Sequence, residues 1–150
     1  MRKQLFYSLA LVTVTLVMMS CASSKNSSTI SNVADISQYK YLVFGPNSNE
    51  GDADLADVML MVQNELAKKL TVVSSEKAYE LLEAGEHVLS PRINVKSEKW
   101  EKGQAYITIN FQDFKTRQGV AVLKSSGIGW PVSEERALNA IRKELNKVFK

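Results

Sequence analysis

The stretch AYITINFQDF, residues 105–114, alternates apolar and polar side chains almost without fault. Ala105, Ile107, Ile109 and Phe111 fall on one side; Tyr106, Thr108, Asn110 and Gln112 fall on the other. A period of two is the pattern of a strand with one buried and one wet face, and it cannot sit stably as a helix. The neighbouring segments extend it. Leu89, Pro91, Ile93 and Val95 share a face in HVLSPRINVKSEKW, and VAVLKSSGIGW follows the turn KTRQG. Gly-containing connections of this length join hairpins, so residues 87–130 read as an antiparallel meander. Pro91 lacks an N–H, which predicts an edge position or a bulge there.

Outside the meander the period changes. Leu55, Val58, Met59, Val62, Leu66 and Leu70 recur every three or four residues, which predicts a helix capped by Asp52 or Asp54, with Lys68 and Lys69 at its negative end. QYKYLVFG before it and TVVS after it read as strands. A shorter helix, EKAYELLEA, follows a cap at Ser75, with Ala78, Leu81 and Leu82 inward. The last twenty residues form a third helix, capped by Ser133, with Leu138, Ile141, Leu145 and Val148 as its buried stripe. The order β-α-β-α-β-β-β-α predicts an α+β fold: a two-layer α/β sandwich on a mixed sheet, helices mainly on one face. The first strand–helix–strand unit should be a parallel crossover.

The beginning of the chain is different. Arg2 and Lys3 precede an uncharged apolar run from Leu5 to Met19. As a helix it would span about 22 Å, short of the roughly 30 Å hydrocarbon layer, and a positive start with a short apolar core is the form of a secretory signal peptide. The run ends at Cys21, the only cysteine. With no second thiol it forms no disulfide within the chain. With His87 as the sole histidine it has no metal partners of the usual kind. The segment Val17-Met18-Met19-Ser20-Cys21 resembles a bacterial lipobox, in which the cysteine is acylated and becomes the mature N-terminus; Ser20 and Cys21 carry the match. The resemblance implies a lipoprotein held by several acyl chains, which is stable anchorage. Ala22 and the absence of an acid just after Cys21 imply the periplasmic side of the outer membrane, with the cell surface or the inner membrane as alternatives. The expected organisation is a signal peptide at 1–20, a flexible Ser- and Asn-rich tether at 21–35, and one domain at 36–150.

Charge narrows the partners. Lys and Arg number 19 against 16 Asp and Glu, for +3. Removal of 1–20 takes Arg2 and Lys3, leaving 17 against 16, or +1. A mature chain so near neutrality carries no nucleic-acid footprint. An envelope protein or the cell wall is the expected partner.

No motif points to chemistry. His87 stands alone without a GxSxG elbow, so a hydrolase using it as base is the weaker alternative. EGDADLAD, with Glu50, Asp52, Asp54 and Asp57, lacks the glycine and closing glutamate of a calcium loop, and an acidic helix start accounts for it. The glycines of KSSGIGW do not form a phosphate loop and suit a twisted strand end. Trp100 and Trp130 lie at predicted strand ends, where core packing is the first reading. No catalytic residue, cofactor or metal ligand is therefore assigned. A tethered, non-enzymatic interaction module is the leading expectation, with a structural subunit of an envelope or secretion assembly as another alternative.

The segments YKYLVFG, TVVSSEKAYELL and FQDFKTRQGVAVLKSSG, in this order, resemble the small α/β domain of periplasmic proteins such as the amino-terminal domain of TolB, the curli-secretion lipoprotein CsgG and the peptidoglycan-synthase activator LpoB. Those domains often place an aspartate and a closing glycine around a turn between two strands, as Asp113 and Gly119 do here. The resemblance implies an architecture and no catalytic residues.

Overall fold

A computed structural model describes residues 24–30, 35–45, 53–98, 103–129 and 132–149. Six strands form one sheet: β1 (Ser24–Ile30), β2 (Tyr39–Leu42), β3 (Thr71–Val72), β4 (His87–Glu98), β5 (Gln104–Asp113) and β6 (Gly119–Ile128). Among the described residues, three α-helices accompany them: α1 (Ala53–Ala67), α2 (Ser75–Glu83) and α3 (Ser133–Val148). The order across the sheet is β1-β6-β5-β4-β2-β3. β4, β5 and β6 form the expected antiparallel meander, and β2 runs parallel to both β3 and β4. The fold is α+β on a mixed sheet.

The period-two pattern decides which face is buried. Ala105, Ile107, Ile109 and Phe111 of β5 join Leu89, Ile93 and Val95 of β4 in the main core. α1 supplies Val58, Met59, Val62 and Leu66 from above, and α3 supplies Ala137, Leu138, Ile141 and Leu145. Fully burying side chains of this size contributes about 1.5–3 kcal/mol each. The opposite face of the meander is wet, with Arg92, Asn94, Tyr106 and Lys124 exposed or half-buried.

α2 lies on that opposite face. Ala78 packs with Val43, Val88 and Phe114, whereas Leu89, the next residue of β4, points into the main core. Topology explains the split. The chain steps outward from β2 to β3 through α1, then back past β2 to β4 through α2. Two crossovers of the same hand, run in opposite directions, place their helices on opposite faces. Two helices on one face and one on the other is the form that "mainly on one face" takes.

Several local expectations are corrected. Residues 24–30, predicted to belong to the flexible tether, form β1, paired with β6 from Ser24↔Gly127 to Ile30↔Ala121 and covered by α3. Their composition offers little apolar surface, but an edge strand is held by backbone groups that β6 would otherwise leave unpaired. At Pro91 the expected edge position is found and the bulge is not: β2 pairs with β4 only as far as Leu89, so among the described residues no strand stands opposite the missing N–H. On the other side of β4, the register with β5 runs unbroken through Pro91↔Phe111. The cap of α2 is Ser74, whose hydroxyl accepts from Lys77 N at 3.2 Å, with Ser75 the first helical residue. α3 has no side-chain cap: Val132 holds the cap position, and Ser133 is buried inside the helix start. The expected caps Asp52 and Asp54 cannot be assigned, because Asp52 and the side chain of Asp54 lie outside the described residues.

Packing, not capping, sets the start of α3. A Cβ on Gly127 would collide with the Ser133 carbonyl oxygen and with Arg136 Cβ. Ser125 Oγ donates to Ala137 O at 2.8 Å, and Arg136 Nη1 donates to Ile128 O at 2.5 Å. The glycine read as allowing a twisted strand end instead lets a helix lie directly on β6.

Candidate interaction site

Three places in the described structure gather polar side chains. The first closes the β5–β6 hairpin. Asp113 ends β5, nearly buried, and its Oδ1 accepts from Thr116 N at 2.7 Å and Thr116 Oγ1 at 3.0 Å. Its Oδ2 accepts from the Tyr39 hydroxyl at 3.0 Å. Burial opposes the charge on Asp113, but the Thr116 backbone and hydroxyl and the Tyr39 hydroxyl outweigh it and hold the carboxyl below its usual range. Burial first, then the bond to this carboxylate, pushes the Tyr39 hydroxyl up to about 12. Asp113, singled out from the sequence, is thus a turn-forming residue, whereas Gly119 is the first residue of β6 and Arg117 takes the positive φ of the turn.

His87 stands at the start of β4, exposed, with its ring edge-on to Tyr39 at 5.5 Å. Asp113 is engaged by Tyr39 and Thr116, and among the described residues no carboxylate or hydroxyl is hydrogen-bonded to the imidazole. General-base catalysis needs a base within hydrogen-bond reach of the proton it takes, and this arrangement does not supply the orienting pair.

The second place is a clamp between α1 and α3. Glu65 accepts from Lys68 Nζ at 2.8 Å and from Arg142 Nη2 at 3.0 Å. Those two cations, Arg142 first, hold its carboxyl at about 2. Nearby, Glu144 is 2% exposed on the buried side of α3 and pairs with Lys147 at 2.6 Å.

The third place is a cleft of about 900 Å³ at the β3 end of the sheet. The turn after α1, the start of β2 and the end of α3 enclose it. Ile36, Leu70 and Phe149 give it an apolar floor, and Lys40, Lys68 and Lys69 stand at its rim. Lys69 N and Leu70 N both donate to Leu66 O, at 2.9 and 3.0 Å, and this tight helix end brings the lysines to the rim. β3 borders the cleft as the terminal strand of the sheet, with Val72 44% exposed. Such a surface accommodates apolar side chains beside a carboxylate. Ser37, also in its lining, donates its hydroxyl to Asp35 at 2.7 Å, where that carboxylate caps the short turn at Ile36–Gln38.

Comparison with known proteins gives the fold a precedent. No protein-family model matches the chain, and none of the curated proteins matches it. Among solved structures it is similar to the PelC dodecamer from Paraburkholderia phytofirmans, at 17% identity over 85% of this chain and 99% of that one, with a TM-score of 0.52. A single-substitution variant of that PelC dodecamer gives 0.51 over the same shares. A PDZ domain protein from Parabacteroides distasonis gives 0.50 at 12% identity; the match covers 83% of this chain but only 36% of that one. At these identities the likeness establishes the fold alone.

The remaining sequence candidates divide. Cys21, Trp100 and Trp130 lie outside the described residues, as do Glu50 and Asp52 of the acidic stretch. Asp57 is exposed on α1. Among the described residues no three His, Cys, Asp or Glu side chains gather as a metal site, and no helix is long and apolar enough to cross a membrane. Sequence reasoning missed the cleft, because its parts come from residues 36–40, 67–72 and 148–149 and meet only in the fold.

Proposed function

We propose that this chain is a lipid-anchored, non-enzymatic subunit of a cell-envelope assembly, held on the periplasmic side of the outer membrane by acylated Cys21. The observation that carries the reading is the open end of the sheet. A two-residue terminal strand, an exposed Val72 and an apolar cleft rimmed by lysines together suit another protein surface and not a reaction. The PelC structures, described as dodecamers, offer support as a case of the same fold in a multi-copy assembly. The resemblance to the small domains of TolB, CsgG and LpoB belongs to the same proposal.

The proposed anchor would be joined to the fold by a short segment. β1 begins at Ser24, three residues beyond Cys21, and three residues of extended chain reach about 11 Å at most. An acylated Cys21 would therefore hold the start of β1 near the headgroups and would restrict the orientation of the domain. The tether first expected would have left that orientation free.

Size measurement of the detergent-extracted protein tests the assembly reading. A multi-copy species across a hundredfold concentration range is expected, and a strict monomer throughout would overturn it. Cys21→Ala tests the anchor: the protein should leave the membrane fraction, and unchanged sedimentation with membranes would remove lipid attachment from the account.

A further inference from the structure

α1 carries five consecutive apolar residues, Val58 to Val62, more than one helix face can bury. Val58, Met59 and Val62 turn inward, which leaves Leu60 and Met61 56% and 52% exposed. Asp57 precedes them by three and four positions and is also exposed, so the three form one outward stripe. The cleft at the other end of the same helix is its complement, apolar in its floor and basic at its rim.

We infer that the stripe of one copy seats in the cleft of the next, with Leu60 and Met61 over Leu70 and Phe149 and with Asp57 facing Lys69. This rests on the assembly reading and gives that assembly its contact. The stripe cannot fill the cleft of its own chain: Met61 and Lys68 ride on one rigid helix, about 10 Å apart along its axis. The contact joins two different patches, so it is heterologous and repeats from copy to copy, closing a ring where the rotation permits. Its charges are opposite in sign, Asp57 on one side and Lys40 and Lys69 on the other (Lys68 is paired with Glu65), which favours this register over stripe on stripe or cleft on cleft.

Cysteine pairs read the contact directly in the full-length, detergent-extracted protein. Met61→Cys and Val72→Cys place thiols at exposed positions on the stripe and beside the cleft, so neither change should disturb folding. The wild-type chain, with Cys21 as its only cysteine, sets the background. With a bis-maleimide spanning about 10 Å, a linked dimer should form when the two single variants are mixed, and a ladder should form from the double variant. Adding Asp57→Lys should lower the yield at least tenfold. A linked product from Met61→Cys alone would mean stripe meeting stripe and would overturn the inference. So would an oligomer of normal size giving no mixed product, or a yield indifferent to Asp57→Lys; in both cases the assembly reading would stand. A monomer under all conditions would overturn both.

Discussion

Asp113 does at the residue scale what a turn between two strands requires. It takes a backbone donor and a hydroxyl from Thr116 and ties the hairpin to β2 through Tyr39. Asp113→Ala strips three hydrogen bonds and leaves the Tyr39 hydroxyl without its partner, so unfolding in denaturant should show a loss of about 2–4 kcal/mol. Titration gives two further expectations. The Tyr39 hydroxyl is raised from 10 to about 12, so its contribution is complete below pH 10 and disappears as the pH climbs through 12. Melting temperatures of Tyr39→Phe should accordingly fall less steeply over that interval than those of the wild type. Glu65 has the opposite sign. Its carboxyl is lowered from 4.5 to about 2, so its contribution is complete above pH 4.5 and fades toward pH 2. The wild type should exceed Glu65→Gln by about 1 kcal/mol near neutrality, with the gap closing in acid; a gap independent of pH would contradict the clamp. Asp113 was visible in the sequence because its turn is local. Its bond to Tyr39 spans 74 positions, and no local pattern reveals that.

At the scale of elements, periodicity told most of the story. The inward faces of β4 and β5 and the stripes of α1 and α3 are those the spacing predicts, because each is fixed by burial against one common core. Departures arise where a neighbour decides. Ser133 looks like a cap, yet the close seat of α3 on Gly127 determines where that helix starts. Leu60 and Met61 were legible in principle, since VMLMV overfills one helix face, but nothing in the sequence says what would cover them. β1 is the largest departure, because composition weighs side chains and this strand depends on backbone pairing. Hydrogen exchange discriminates between strand and tether. Amides in 24–30 that face β6 should be protected, alternating with fast ones as antiparallel pairing requires; uniformly rapid exchange would restore the tether.

For the whole molecule, the sheet and its helices make a stable support for a surface that none of them has on its own. The cleft exists because the end of α1, the entry to β2 and the end of α3 converge beside β3. That same convergence leaves β3 as an open end of the sheet, while β1 at the far edge begins three residues from Cys21. With the proposed lipid attachment near one edge and an open end at the other, the molecule would associate in the plane of the membrane. Native mass spectrometry of the acylated protein, released from detergent micelles, measures this most directly. The account predicts a discrete species of many identical copies, each carrying acyl chains on Cys21. Single, unacylated chains as the only species would contradict it.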